Sequence, residues 1–255
     1  MKTSSWLTTI LLTGLFPALA LAGDQSGAAE EALSTAGGIA SPGGPTAVFQ
    51  NPAGLVLNPG LAATAQAGAS DSFNNLFVRA GFLAGGSGYG LAGGLTQTAS
   101  DPSRTSAFYG LGVASGSGFS IGVAGQTGIS RAGGTGINAG ILFSGSLPFR
   151  LGITAIGIND GVNEWGAGIS SEGPVSFLLD GAYNSNSKEV GLKPGIKAGN
   201  GDAALSLSYG FADAKNTIEL SDGFTAGASI MAKSANIQIY YNSFSKFYAA
   251  VTFML

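Results

Sequence analysis

The chain has 255 residues and a formal net charge of −3, and it contains neither histidine nor cysteine. Without an imidazole or a thiol it cannot assemble a serine–histidine or cysteine–histidine nucleophile, a His/Cys zinc site or a disulfide. Charged residues make up 10% of the chain, against roughly 25% in ordinary soluble domains. We therefore expect no enzyme, no metal or other cofactor and, because there is no basic stripe, no nucleic-acid partner.

The first 22 residues have the pattern of a secretory signal peptide. Lys2 supplies a positive charge, an apolar stretch follows over residues 6–21, and residues 20–22 (Ala-Leu-Ala) fit the small-x-small cleavage pattern. Residues 18–20 offer a second cleavage site, and an uncleaved membrane anchor is the alternative interpretation. We expect cleavage before Gly23 and export of the mature chain.

Residues 23–60 differ from everything that follows them. They lack any alternating pattern and hold four of the nine prolines. A short helix is possible between Ala28 and Ala36, and the glycines and prolines that follow would end it. This segment is therefore predicted to be irregular and to precede a separate domain.

From residue 61 onward, short segments alternate apolar residues with small or polar ones, which predicts strands with one apolar face each. No later run reaches the roughly 18 apolar residues of a spanning helix. We predict fourteen strands, with twelve as the alternative count. Their ranges are 61–70, 76–85, 89–99, 105–115, 119–129, 136–144, 148–158, 163–171, 175–185, 188–199, 203–213, 223–232, 235–243 and 246–255.

The connections between these strands alternate in character. Those after odd-numbered strands hold most of the charge, including a predicted turn at Asp101-Pro102, whereas several of the others are short and rich in glycine and serine. Short periplasmic turns and larger polar external loops are typical of outer-membrane barrels.

One hairpin indicates its own register. If the turn is centred at residues 186–187, Phe177 faces Ile196 and the large apolar residues of both strands share one face. Asp180 then faces Lys193 on the other face, where we predict that the two charges pair inside the lumen.

The last strand keeps its alternation to the end of the chain. Phe247, Ala249, Val251, Phe253 and Leu255 share one face. This resembles the terminal-strand signal that the outer-membrane barrel assembly machinery reads, with Leu255 in the place of the usual Phe or Trp. The resemblance implies that this machinery is a partner.

In lipid every backbone N–H and C=O must be paired within the protein, and a sheet achieves this only by closing. The sequence therefore predicts an all-β, transmembrane, antiparallel up-and-down β-barrel in the bacterial outer membrane, in contact with membrane lipids. Aromatic residues near the predicted strand ends are candidates for interfacial girdles. They are Trp165, Tyr183, Tyr209, Tyr241 and Phe247.

Residues 47–55 read Ala-Val-Phe-Gln-Asn-Pro-Ala-Gly-Leu. They resemble the Asn-Pro-Ala element of the FadL-type outer-membrane transporters, in which an N-terminal segment plugs a fourteen-stranded barrel. The resemblance implies that Asn51, Pro52 and Ala53 belong to a hatch-like segment over residues 23–60, ahead of a barrel over residues 61–255. This chain lacks the long extracellular loops of that family. Its glycine and alanine content and short loops are also similar to the small porin-like major outer-membrane proteins of predatory bacteria, which are oligomeric barrels.

Several predicted outward faces are unusually small. Small residues allow membrane surfaces to approach closely, so we predict a homo-oligomer; the alternative is that glycine and alanine merely relax the curvature of the barrel. The candidate interface residues are Ala63, Ala65, Ala67, Gly93, Ala226 and Ala228.

Two functions agree with these patterns. One is a passive channel, or a FadL-type barrel that handles hydrophobic solutes or lipid; the other is a structural homo-oligomer that organises or traps lipid without conducting. A secreted glycine-rich fibre is disfavoured because the sequence has no repeating unit. The predicted lumen holds four cations and one anion, which would favour anions mildly in an open pore. These residues are Arg79, Arg150, Asp180, Lys193 and Lys197.

Overall fold

The computed structural model describes residues 38–42, 47–57, 60–70, 77–98, 101–129, 135–145, 147–161, 163–200, 202–212, 223–242 and 246–254. The predicted signal peptide and the possible helix at 28–36 lie outside the described residues, and so does the last residue of the predicted terminal-strand signal.

Fourteen antiparallel strands form one closed barrel, which confirms the predicted fold class and the higher of the two strand counts. Most strand boundaries agree with the prediction to within a few residues. The strands are β1 (Gly60–Ser70), β2 (Phe77–Gly86), β3 (Tyr89–Thr98), β4 (Asp101–Ala114), β5 (Phe119–Gly128), β6 (Thr135–Phe143), β7 (Phe149–Ile156), β8 (Glu164–Ser171), β9 (Val175–Asn184), β10 (Val190–Gly199), β11 (Ala203–Ala212), β12 (Gly223–Ala232), β13 (Ala235–Asn242) and β14 (Lys246–Met254).

Each strand pairs with its neighbours in the sequence, and the pairing of β1 with β14 closes the barrel, with Ala62 opposite Met254. Closure leaves no unpaired sheet edge. The even strand count brings the start of β1 and the end of β14 to one end of the barrel. The turns at 87–88, 115–118, 172–174 and 233–234 lie at that same end, which we name the short-turn end. The opposite end, where β1, β7 and β11 end, is the long-loop end.

The register between β9 and β10 is the one predicted from the sequence. Phe177 is opposite Ile196, and Asp180 is opposite Lys193. Pro194 interrupts the pairing between β10 and β11, where the direct partners stop at Leu192 and resume at Gly195. A proline has no N–H to donate to the ladder, so an interruption is expected there.

The predicted turn at Asp101-Pro102 is wrong, because β4 already begins at Asp101. The pairing of β3 with β4 shifts between Gln97 and Thr98: Thr105 is opposite Gln97, whereas Asp101 is opposite Thr98. The extra residues of β4 are absorbed by this irregularity, as in a β-bulge. A proline near the start of a strand is tolerated because the ladder does not need its missing N–H.

The outer surface of the barrel is apolar around its circumference. Large outward side chains are exposed on most strands, for example Ile121, Ile153, Leu207 and Ile239. A continuous exposed apolar belt of this kind is the surface that a membrane barrel presents to lipid. The five predicted girdle residues all lie on the outer face near the long-loop end, where Trp165 is paired with Tyr183 and Tyr241 with Phe247. Among the described residues, no helix is both long enough and apolar enough to cross a membrane.

The buried apolar cluster lies inside the barrel rather than between two layers. Residues before β1 form a short helix, α1 (Ala47–Gln50), and a 3-10 helix (Pro52–Leu57). Val48, Phe49 and Leu55 from these helices pack with Leu83 and Phe108 on the inner face of the barrel. This core fixes the helices against one side of the lumen.

Candidate functional site

The candidate site is the barrel lumen together with the chain inside it. We name residues 38–42 and 47–57 the inner segment. Its 3-10 helix packs against β2–β6, and α1 packs against β4 and β5. Within this segment Ile39, Ala40, Val48 and Leu55 are fully buried. The inner segment therefore covers one side of the lumen wall.

A row of glycines on that wall makes room for the segment. Gly90, Gly112, Gly122 and Gly140 are directly opposite one another across β3, β4, β5 and β6, and we name this row the glycine track. A Cβ atom on Gly112 would lie 3.0 Å from the carbonyl oxygen of Pro52. At the other three positions, a Cβ would overlap the 3-10 helix or the Asn51 side chain. Only glycine allows the chain to approach this closely.

Two further glycines support the first turn of the inner segment. Gly152 on β7 is directly opposite Gly168 on β8. A Cβ on Gly168 would lie 3.0 Å from the Cβ of Ile39 and 3.1 Å from the backbone nitrogen of Ala40, and one on Gly152 would overlap the Ile39 carbonyl. The residue opposite Gly168 on β9 is Asp180. The part of the wall that contacts the inner segment thus extends to β9.

Hydrogen bonds between side chains and backbone join the inner segment to the wall. Buried carbonyl groups need donors, and in this lumen polar residues of the strands and of the segment supply them. The bonds run from Ser120 Oγ to the Ala53 carbonyl (3.1 Å), from Asn138 Nδ2 to the Val48 carbonyl (3.3 Å), from Ser170 Oγ to the Ala40 carbonyl (3.5 Å) and from Asn51 Nδ2 to the Ile141 carbonyl (3.1 Å).

Asn51 also holds the two parts of the inner segment together. Its Nδ2 donates to the Ile39 carbonyl at 2.9 Å, and its Oδ1 accepts from the backbone N–H of Ala53 at 3.1 Å. Asn51 and Ala53 are fully buried, and Pro52 begins the 3-10 helix between them. The three predicted hatch residues thus form the bend that connects α1 to the 3-10 helix.

Arg79 lies on the inner face of β2 and is 1% exposed. The centre of its guanidinium lies 4.2 Å from the ring centroid of Phe49 and 5.9 Å from that of Phe108. Its Nε donates to Thr96 Oγ1 at 3.0 Å, and a terminal nitrogen donates to Gln66 Oε1 at 3.3 Å. A buried cation over an aromatic face is attractive. Arg79 therefore holds α1 and does not line open space.

Asp180 on β9 and Lys193 on β10 lie at the far end of this contact surface from Arg79. Both side chains point into the barrel and are nearly buried, at 3% and 8% exposure. The backbone N–H of Ile39 donates to Asp180 Oδ1 at 3.1 Å. The carboxylate thus fixes the first turn of the inner segment opposite a lysine on the neighbouring strand.

Arg150 and Lys197 lie at a pocket of about 460 Å³ at the short-turn end. Arg150 Nε is 2.6 Å from Glu172 Oε1, and Lys197 is exposed. Ser41 of the inner segment also lines this pocket. Of the five predicted lumen residues, three are therefore buried, and two border open space.

No protein-family model and no curated protein matches the sequence. Solved structures do match. The CymD monoaromatic hydrocarbon channel superposes with a TM-score of 0.57 and 12% identity, over 88% of this chain and 97% of the channel. A mutant of the TodX monoaromatic hydrocarbon channel superposes with a TM-score of 0.55 and 11% identity, over 82% of this chain and 92% of that one.

The chain has the fold of the FadL-type barrels. The predicted resemblance to the FadL-type barrels is thereby confirmed at the level of the fold. At 11–12% identity the match reports architecture, so the roles of single residues rest on the contacts described above.

The candidate interface residues lie on the outer face. Ala65 and Ala67 of β1 are exposed, and Ala63 is partly exposed; on β12, Ala226 and Ala228 are partly exposed. Gly93 differs, because the ring of Phe82 covers it: a Cβ there would lie 3.1 Å from Phe82 Cε1. The small surface is therefore found on β1 and β12 rather than on β3.

Sequence reasoning missed the wall residues that seat the inner segment. Ser120, Asn138 and Ser170 look like ordinary inner positions of a strand, and nothing local marks them as partners of residues 38–57. The glycine track carried a usable signal, because its members become a single row once the strands are aligned in register. Finding that row required the register of four strands at once, and only one hairpin indicated its register from charge and size.

Proposed function

We propose that the protein is a passive channel of the bacterial outer membrane and that the inner segment is a plug that narrows it. The observation that carries this proposal is the inner segment, which lies on the glycine track and covers one side of the lumen. The pocket between Arg150 and Lys197 leaves space at the short-turn end. A barrel with a partly filled lumen is suited to restricted passage rather than to a wide aqueous pore.

Other features of the chain support the proposed location in the outer membrane. The expected signal peptide directs export, and the apolar outer belt with aromatic residues at the long-loop end is suited to lipid. The final strand, which pairs with both β1 and β13, supports recognition by the barrel assembly machinery. By analogy with outer-membrane barrels, the short turns would then face the periplasm.

The first experiment is conductance in a planar bilayer, with the mature protein beside a variant that lacks residues 24–55. We expect small steps from the full chain and steps several-fold larger from the deletion, because removal of the inner segment uncovers the glycine track. Equal steps from both proteins would contradict the plug. No steps from either protein, with both shown to be folded by heat-modifiable gel migration, would contradict the channel.

The solute class separates two forms of this proposal. CymD and TodX are named as monoaromatic hydrocarbon channels, and a FadL-type barrel for hydrophobic solutes or lipid is one form. A channel for water-soluble solutes is the other. The residues that line the uncovered wall decide between them.

A second candidate function is a structural homo-oligomer that organises lipid. It is favoured by one observation, the alanine face of β1. Ala67 is directly opposite Ala249 of β14, and both are exposed on the outer surface. Small outward residues gain little from lipid but allow two barrels to approach closely.

A further inference from the structure

The lumen wall on β11, β12 and β13 differs from the wall under the inner segment. These three strands contain no charged residue. Their inward side chains are mainly hydroxyls and amides and are partly exposed, whereas most inner positions of β5–β8 are buried. We name the following six residues the polar wall: Ser206, Ser208, Thr225, Ser229, Asn236 and Gln238.

The polar wall is a connected surface. Ser229 is directly opposite Gln238 on β13, and Ser208 is directly opposite Thr225 on β12. Between these pairs, the ring of Tyr240 lies over Gly227, where an added Cβ would overlap it. The ring of Tyr240 therefore lies along the wall rather than across the lumen.

Three of the five charged lumen residues are buried away from this surface. Arg79, Asp180 and Lys193 are buried among the inner segment, β1–β3 and β9–β10. Lys197 and Arg150 border the pocket at the short-turn end, which Ala204 of β11 also lines. Lys197 is directly opposite Ser206, so it borders the polar wall on its β10 side. Across β11, β12 and β13 themselves, a solute would thus meet hydroxyl and amide groups and no charged side chain.

We propose that the polar wall is the solute path and that the solutes are small, neutral and rich in hydroxyl groups, such as polyols and sugars. This inference rests on the proposed channel function and names its solute class. Hydroxyls and amides both donate and accept, so they replace the water around such a solute. A hydrocarbon would displace water from these groups and leave them unpaired, which is costly. A cation would lose hydration water without gaining an opposite charge.

The test is swelling of proteoliposomes that contain the mature protein, in glycerol, erythritol, arabinose and glucose, with potassium chloride conductance measured on the same preparation. The chain has no cysteine, so one introduced thiol can be labelled after folding. Ser206→Cys places the thiol on the polar wall. Leu207→Cys, the next residue, is the matched control, because Leu207 is 52% exposed on the outer face.

We expect a bulky neutral maleimide on Ser206→Cys to slow arabinose swelling by about fivefold or more, because it narrows the path, while the same label on Leu207→Cys leaves the rate unchanged. Gln238→Leu has a similar size but lacks the amide, and we expect it to slow arabinose more than it changes potassium chloride conductance. Either result supports the polar wall as the path.

Three results would overturn the inference, and they differ in what they say about the channel. Neutral solutes that permeate equally well after labelling at either position would place the path elsewhere while the channel stands. Ion conductance without polyol swelling would reject the solute class alone. The absence of both conductance and swelling would reject the channel together with its solutes.

Discussion

Asp180 makes two interactions on the inner face of the barrel, where its side chain is nearly inaccessible to water. It accepts the N–H of Ile39 and lies opposite Lys193, and neither charge is more than 8% exposed. A buried charge that loses its partner is far more costly than an exposed one, because it can no longer be compensated by water. The pair Arg150–Glu172 at the short-turn end, with side chains 28% and 51% exposed, offers the contrast.

We predict that Asp180→Leu lowers the free energy of unfolding by about 3 kcal/mol, because it removes the carboxylate opposite the buried Lys193 and the acceptor of the Ile39 N–H. The double variant Asp180→Leu/Lys193→Met should recover most of this loss. Urea unfolding in detergent micelles, followed by tryptophan fluorescence, measures both. Glu172→Gln is the control and should cost about 1 kcal/mol or less. A double variant no more stable than Asp180→Leu would show that the two charges are independent.

The residue scale also shows what the sequence could and could not predict. Asp180 and Lys193 were predictable as a pair, because one hairpin register puts opposite charges on the inner face. The contact between Arg79 and Phe49 was not, because it depends on where the inner segment lies against β2. No short-range pattern in the sequence predicts the contact between these two residues.

At the scale of elements, the strands are specified by local sequence patterns, whereas the inner segment is specified by its contacts with the barrel wall. Each strand is specified by its own alternation of apolar and small residues, so thirteen of the fourteen predicted ranges lie within a few residues of the observed ones. β4 was misjudged at its start because Asp101-Pro102 reads as a turn, while the irregular pairing with β3 lets it remain in the strand. The 3-10 helix has no such periodicity, and its position depends on the glycine track against which it packs.

The glycine track yields a direct test of the plug. Gly122→Val would force a side chain into Pro52 and Ala53, so we expect it to lift the inner segment from the wall. Val48→Cys, at a position 1% exposed, reports this through its rate of thiol labelling. We expect labelling about tenfold faster in the Gly122→Val background, because the buried site opens more often.

The control for this test is Gly181→Val on the outer face of β9, where the nearest neighbour to an added Cβ is 3.4 Å away. A valine there makes ordinary contacts and should leave the labelling of Val48→Cys unchanged. If Gly122→Val also left it unchanged, the inner segment would not depend on the glycine track for its position.

At the scale of the whole molecule, closure removes every free strand edge, so two copies in a membrane cannot pair strands and instead meet through side chains such as those of the outer belt. Most of that belt carries large apolar residues suited to lipid. One row of directly opposed residues is smaller at three of its four positions, which are Ala67 on β1, Ala249 on β14 and Ala228 on β12; Ile239 on β13 lies between the last two. If a second barrel approaches anywhere, this row allows the closest contact between backbones.

We predict that the double variant Ala67→Cys/Ala228→Cys forms a ladder of linked oligomers when membranes are treated with a short thiol crosslinker. A contact between β1 of one copy and β12 of the next would be heterologous, and such contacts close into rings when the rotation allows. Ala167→Cys, on the exposed outer face of β8 across the barrel, should give monomer and is the matched control. Monomer from both variants would reject the structural oligomer and leave the channel as the function to pursue. A ladder from the first variant alone would mean that the barrels pack side by side in the membrane, each with its own polar wall enclosed.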